Sequence, residues 1–273
     1  MQSSRLRDVL ACPNCRGRLH PANETLECGS CASIYRVVDG VPVFRAGDFQ
    51  IAREHVSNPL GPEFQTLLKE GRDFILNIGA GGTAQRFPNC VEFEHKIFRH
   101  TDVVGDAHRL PFRDSVFDRV FAFNVFEHLR DPKTAAGEIE RVLRPGGVAT
   151  IHTAFLQPLH EAPHHYYNAT EFGVREWFSS LEIEQCEVSG NFSPGMMLSF
   201  LCANVLDTAA AGNVGSVEQA AISQSTVGDW AGFWRRGCVG ELPPGFMALR
   251  NLPQALQARV AAGFQLVARK RAR

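Results

Sequence analysis

Apolar positions along this chain fall into short runs punctuated by glycine and proline. The first reads Ile34-Tyr35-Arg36-Val37-Val38-Asp39-Gly40-Val41-Pro42-Val43-Phe44. Two β-branched runs flank Asp39-Gly40, so the segment predicts a hairpin whose turn uses the positive φ that Gly tolerates. Pro42 has no N–H to donate, which places it on an edge strand. Further on, Phe74-Ile75-Leu76-Asn77-Ile78 is a nearly continuous apolar run ending in Gly79-Ala80-Gly81-Gly82-Thr83. It predicts a buried parallel strand running into a turn that lets backbone approach a ligand at the carboxyl edge of a sheet. Residues 91–94, 119–124 and 148–153 predict further strands. Between the last two, Ala135, Ile139, Val142 and Leu143 share one helical face, and Arg144-Pro145-Gly146-Gly147 stops that helix. Residues 170–180 predict a helix with Thr170 as N-cap, and 181–188 a strand.

The 273 residues hold 28 Lys and Arg against 29 Asp and Glu. This balance creates no general field for capturing nucleic acid, so a nucleic-acid partner is disfavoured. The basic end Arg269-Lys270-Arg271-Ala272-Arg273 is a local exception whose plain reading is a solvated terminus. No apolar run is long enough to span a bilayer, and no membrane partner is expected. Residues 195–260 contain only eight charged side chains. Such a segment predicts a helical lid over the sheet's edge or a subunit contact. Its Trp230, Phe233 and Trp234 are candidates for an apolar pocket or for plain core packing.

Cysteine spacing adds chemistry. Cys12 and Cys15 form one CxxC pair, and Cys28 and Cys31 a second. Four thiolates so spaced can close a tetrahedral shell around one Zn²⁺, whose binding free energy then folds a module too small for its own core. A saturated shell leaves no open position, so the zinc would be structural. A disulfide framework is the competing reading, but the chain opens MQSSRLRDVL with no apolar signal segment, which favours a cytoplasmic setting. Cys90, Cys186, Cys202 and Cys238 lack ligand spacing.

The segment CPNCRGRL…CGSC…YRVVDGVPVF resembles the zinc-ribbon family that includes the activator subunit of tRNA and protein methyltransferases. That resemblance implies a ribbon that binds partners or stabilises a neighbouring methyltransferase. Downstream, GDAHRLPF at 105–112, Phe117-Asp118, Glu127-His128-Leu129 and RVLRPGG at 141–147 succeed one another in order. This order resembles the type 11-like branch of the class I S-adenosylmethionine (SAM) methyltransferases. The resemblance implies that Gly79, Ala80 and Gly81 pass under the methionine part of SAM and that Glu94 holds the ribose. It also implies that Asp106 and Ala107 border the adenine beside His108, and that Asn124 and Val125 line the site below the methyl group. Asn77 stands where many relatives carry a carboxylate. Its amide can hydrogen-bond the methionine ammonium or fix the loop, without the charge. The third glycine of a dinucleotide fingerprint is missing, which argues against nicotinamide or flavin.

His152, His160, His164 and His165 crowd together ahead of Tyr166-Tyr167-Asn168. A His- and Tyr-rich loop at a sheet edge suits a general base and hydroxyl contacts. His160 is the first candidate, His128 the second, and Tyr167 a further catalytic candidate; exposed or structural roles compete for each. The stretch resembles a methyltransferase subgroup with a PF…H…P-x-D-Y-Y-R-x-T segment, found in cell-surface polysaccharide and specialised-metabolite pathways. Here His165 and Asn168 replace its acidic and arginine positions. Residues 264–270 resemble the fold's last, antiparallel strand.

The sequence thus predicts an α/β protein. Its parts are a zinc-ribbon module (1–47), a linker or helix (48–71), and a SAM-binding methyltransferase domain (72–273). The domain has a Rossmann-like sheet with helices on both faces and a helical insertion at 195–260 before the last strand. The expected reaction is methyl transfer to oxygen or nitrogen of a small molecule, a sugar or specialised metabolite. An RNA methyltransferase, or a SAM-binding protein that does not methylate, are the alternatives. The ribbon and the 195–260 insertion are the faces on which a homodimer or a partner protein would form.

Overall fold

The computed structural model describes residues 4–57, 59–265 and 269. Helix α1 (Ser4–Val9) precedes four strands: β1 (Leu19–Ala22), β2 (Thr25–Cys28), β3 (Ile34–Val38) and β4 (Val41–Val43). Helix α2 (Pro62–Glu70) leads into β5 (Ile75–Ile78), β6 (Cys90–Glu94), β7 (Val103–Val104) and β8 (Phe117–Phe123). Then come α3 (Pro132–Val142), β9 (Leu143–His152) and α4 (Glu171–Trp177). The chain divides into two compact units. The first comprises residues 1–155 and 166–187, and the second 156–165 and 188–273.

Unit one is built on a single sheet with strand order β1-β2-β3-β4-β7-β6-β5-β8-β9. The ribbon strands pair antiparallel, and β7, β6, β5, β8 and β9 run parallel. The hairpin expected at Asp39-Gly40 is present: Val38 pairs with Val41, and both turn residues have positive φ, 50° and 80°. Strand β4 is not an edge, however. Val43 pairs in parallel with Val104 of β7, and the N–H of Phe44 donates to the Val104 carbonyl at 2.7 Å. The proline is tolerated because the β4–β7 ladder is the single pair Val43–Val104, whose bond is donated by Phe44 N, so Pro42 is asked for no N–H there.

Helices cover both faces of the sheet. On one, α3 contributes Ala135, Ile139 and Val142 to a core with Leu76, Phe93, Phe112 and Phe117. Leu6, Leu10 and Phe44 from the ribbon end belong to that same core, with Tyr35 and Leu26 packed against it. On the other face, Phe64, Leu67 and Leu68 of α2 pack on Ile75, Cys90 and Phe121. The connection from β5 to β6 contains no helix, although parallel crossovers usually do. The upstream α2 covers that face instead.

Thr170 caps α4 as expected, its Oγ1 accepting from Gly173 N at 3.1 Å. The strand predicted at 181–188 does not form. Leu181 and Ile183 do face the core, but no described strand pairs with the segment. The segment expected as the last strand, 264–270, lies largely outside the described residues: 266–268 and 270 are not described, and Phe264 and Gln265 lie in no strand.

Unit two is helical, with α5 (Pro194–Ala211), α6 (Ser216–Gln224), α7 (Val227–Arg235), α8 (Phe246–Arg250) and α9 (Gln254–Val260). The uncharged 195–260 segment therefore forms helices. A capping box starts α7: Thr226 Oγ1 accepts from Asp229 N, and Asp229 accepts from Thr226 N. Trp230, Phe233 and Trp234 line a groove of about 510 Å³ together with Phe246, Leu242, Cys238 and Arg250. No described helix is long and apolar enough to cross a membrane.

Candidate cofactor and metal sites

Near the amino end, the four predicted thiols cluster with their sulfurs all within 4.8 Å of one another. Cys12 Sγ lies 3.6 Å from Cys31 Sγ, and Cys15 Sγ 3.4 Å from Cys28 Sγ. Tetrahedral Zn²⁺ with Zn–S near 2.3 Å spaces its sulfurs about 3.8 Å apart, so the set fits the ion. Backbone N–H groups of Gly17 and Ser30 point at Cys15 and Cys28, each at 3.4 Å, as expected around thiolate ligands. Hydrogen bonds from Ser33 bring the Cys31 thiol down to about 6. Gly17 is required here, since a Cβ would stand 2.5 Å from Ser30 Oγ and 3.0 Å from Cys28 Sγ.

The predicted cofactor residues gather at the carboxyl ends of four adjacent strands. Gly79, Ala80 and Gly81 follow β5, Glu94 ends β6, Asp106, Ala107 and His108 follow β7, and Asn124 and Val125 follow β8. From β5 the chain steps through β6 to β7, then returns to the other side of β5 with β8. The switch between β5 and β8 is where an open α/β sheet leaves a ligand crevice. Val125 packs directly on the glycine turn: a Cβ on Gly79, whose φ is 69°, would lie 2.3 Å from Val125 Cγ2.

Gly81 N donates to Glu94 Oε1 at 2.7 Å, and His95 donates its N–H to Oε2 at 2.9 Å. Glu94 is only 4% exposed and links the turn to β6. Asp106 Oδ1 accepts from His108 N and lies 2.5 Å from His108 Nδ1. That contact lowers the Asp106 carboxyl and raises the His108 imidazole. Because His108 Nε2 accepts from Asp131 N at 3.1 Å, the neutral ring keeps its proton on Nδ1, facing Asp106. Asn124 takes a φ of 55° and donates its N–H to the His152 carbonyl. Asn77 is buried inside β5, in register with Glu92 and Phe121.

A glycine-rich turn whose one side chain is the methyl of Ala80, a buried carboxylate one strand away and a second carboxylate beyond it fit a cofactor carrying an amino-acid part and a nucleoside. SAM has that composition.

Sequence reasoning missed several groups. Ser57 lies on the glycine turn, its N donating to the Gly82 carbonyl and its Oγ accepting from Gly82 N, both at 2.9 Å. Beside them sits a buried acid pair. Glu92 contacts the Thr83 hydroxyl, Asp102 pairs with Arg86, and Asp102 Oδ2 accepts from Glu92 N. Burial raises Glu92 to about 8 and also raises Asp102. No spacing motif marks such a group; acidic residues in an otherwise apolar strand were the only signal.

The catalytic candidates fall in different units. His128 ends a single 3-10 turn (Phe126–His128) ahead of α3. Tyr167 donates its hydroxyl to the Arg130 carbonyl at 3.1 Å, its N–H to the Glu127 carbonyl at 3.2 Å, and packs edge-on against Trp177. Glu127 is fully buried and accepts from Thr153 Oγ1 at 3.0 Å. In unit two, His160 lies against His165 with ring centres 4.2 Å apart and the rings tilted by 56°, and its Nδ1 lies 3.0 Å from the Pro158 carbonyl.

Residues 85–151 match the family described as a methyltransferase domain, and residues 3–40 match the Trm112p-like protein family. Residues 85–151 are thus similar to a methyltransferase domain, and residues 3–40, which hold the four clustered cysteines, to a Trm112-like domain. It is 39% identical over 75 residues to a demethylmenaquinone methyltransferase of Mycolicibacterium paratuberculosis, covering 28% of this chain and 27% of that protein. It is 46% identical over 44 residues to an uncharacterised methyltransferase of Schizosaccharomyces pombe, covering 16% of each. The chain thus spans about a quarter or less of the length of these relatives. Among solved structures, a Bacillus halodurans putative methyltransferase aligns over 44% of this chain and 65% of its own, at 17% identity and TM-score 0.33.

Proposed function

We propose that this protein is a SAM-dependent methyltransferase acting on oxygen or nitrogen of a small molecule, with a structural zinc ribbon built into its sheet. The observation that carries the reading is the meeting of the glycine turn, Glu94, Asp106–His108 and Asn124–Val125 at one sheet edge, within a chain whose residues 85–151 match a methyltransferase domain. SAM would supply an electrophilic methyl on a sulfonium. The turn at 79–81 would receive its methionine part, and Glu94 and Asp106 its ribose and adenine. The protein's own share is alignment of acceptor and methyl group, plus removal of the acceptor's proton. His160 is our first candidate for that base and His128 the second.

A sugar or specialised metabolite is the favoured acceptor class. It rests on the resemblance of the 155–170 segment, with His165 and Asn168 marking a departure in what is recognised. The Trm112p-like match supports a second reading, a methyltransferase of RNA or protein working with a partner. Against it, the ribbon strand β4 is already paired to β7 of the same chain.

Incubation with methyl-labelled SAM and host extract, followed by counting label in small-molecule, RNA and protein fractions, tests these readings. Label among small molecules is expected. Label in RNA or protein instead would overturn the substrate assignment, and SAM binding without any transfer would overturn the reaction.

A further inference from the structure

The zinc knuckle reaches beyond its own module. Arg16 stands between Cys15 and Gly17, in the left-handed region at φ 63°. Two backbone hydrogen bonds close this turn, Arg16 N to the Cys12 carbonyl at 2.8 Å and Cys12 N to the Gly17 carbonyl at 3.0 Å. Non-glycine residues resist that conformation unless the surroundings impose it. Two cysteine ligands pulled onto one metal would impose it here.

The turn aims the Arg16 guanidinium away from the metal. Its Nη2 binds Glu138 Oε1 of α3 at 2.8 Å, and its Nη1 donates to the Leu110 carbonyl at 2.9 Å. Glu138 in turn accepts from Leu110 N at 2.8 Å through Oε2 and from Arg141 through both oxygens. The Leu110 carbonyl also takes Arg141 Nη2 at 3.0 Å, and Arg141 holds the Phe112 carbonyl and Asp114. Leu110 is fully buried, and its peptide groups on both sides are gripped by charged partners. Ala11 N adds a bond to the Pro111 carbonyl at 2.9 Å. Leu110 closes the 3-10 turn Ala107–Arg109, whose N-cap is Asp106. The loop after β7 is thus held from α3 by Glu138 and Arg141, and from the metal knuckle by Arg16.

We infer that Arg16 is a positioning residue for cofactor binding. It transmits the closed state of the zinc knuckle to residues 106–112, so that the ribbon sets the affinity of the adenosine end of the site from within the same chain. This rests on the reading that residues 106–108 border the adenosine of SAM. Charge-assisted hydrogen bonds of this kind fix geometry more stringently than neutral ones.

The test uses the full, zinc-loaded chain and S-adenosylhomocysteine, titrated by calorimetry. Arg16→Ala should keep one zinc per chain and weaken binding about tenfold. It should also speed hydrogen exchange at the Leu110 amide while leaving the 79–82 amides as they were. Arg16→Lys, which can reach one acceptor but not grip both, should recover part of the affinity. Zinc removal should weaken binding in the natural chain and add little in Arg16→Ala. Should Arg16→Ala fail to fold, Arg16→Met keeps the aliphatic stem and takes its place. Unchanged affinity in a zinc-loaded variant overturns the inference and leaves the proposed function standing. If the natural, zinc-loaded chain binds no S-adenosylhomocysteine, the proposed function itself falls.

Discussion

Gly81 donates its backbone N–H to Glu94 Oε1 at 2.7 Å, so the turn after β5 and the end of β6 are joined before any ligand arrives. Glu94 holds the turn, and in the proposed function it would also offer its remaining lone pairs to a ribose. Glu94→Ala should remove both and weaken SAM binding about 10- to 100-fold, as loss of a charge-assisted pair does. Glu94→Gln, which still accepts from Gly81, should lose less. Calorimetric titration of the two variants checks the order, and equal losses would mean that the acceptor oxygen is not what the turn needs.

Gly79→Ala should destabilise unit one by about 1–3 kcal/mol, because it combines a positive φ with an added methyl pressed on Val125. Adding Val125→Ala should relieve the overlap and leave the backbone strain. Urea unfolding of the single and double variants separates the two contributions.

Replacing Cys12 and Cys15 by Ser should abolish zinc binding and lower the melting temperature by about 10 °C. The loss should not be confined to the ribbon, since Leu6, Leu10 and Phe44 share a core with Phe93 and Phe112. Metal analysis and a melting curve followed by circular dichroism report both. A variant that loses zinc yet melts as the natural chain does would contradict the shared core.

Glu92 makes stability depend on pH in a specific direction. Burial raises its carboxyl from 4.5 to about 8, with Asp102 adding to the rise and the Thr83 hydroxyl and Arg86 opposing it. Between those values the folded chain keeps a proton that the unfolded chain has released. Stability must then fall as pH climbs through that window. Glu92→Gln, neutral at every pH, should flatten the slope and leave the variant about 2–4 kcal/mol more stable than the natural chain at pH 8.5. Denaturant melts at pH 5.5, 7 and 8.5 decide the matter, since parallel curves for the two proteins would refute the buried proton.

Tyr167→Phe removes a hydroxyl that donates to the Arg130 carbonyl. If that bond is its main task, the variant should lose about 1 kcal/mol of stability and less than tenfold in turnover. A loss of 100-fold or more in kcat at unchanged SAM affinity would assign Tyr167 to the chemistry.

What could be read from sequence followed from local physics. Strand β5 was legible because an apolar run into glycines has few other solutions, and the ribbon hairpin because Asp39-Gly40 fixes its turn. The cysteines announced their shell by spacing. The β4–β7 pairing was not legible: it joins Val43 to Val104, and no periodicity encodes which distant strand a short one will meet. Pro42 even argued the opposite. Arg16, Ser57 and Glu138 were invisible for a related reason, since each acts on backbone groups far along the chain. The strand expected at 181–188 alternates only over 181–184, where Leu181 and Ile183 pack on the core, and alternation specifies a face and not a partner.

The parallel pairing of Val43 with Val104 also sets a timetable for the nascent chain. Strand β4 leaves the ribosome well before β7 exists, and until then it presents bare N–H and C=O groups to the surrounding solution. During that interval the four cysteines can already capture their metal and close the ribbon. A ribbon closed in that interval would offer a template edge against which β7, and beside it β6 and β5, could align. Metal supply would thereby influence how much protein reaches the native state in the cell, over and above how stable that state is once formed.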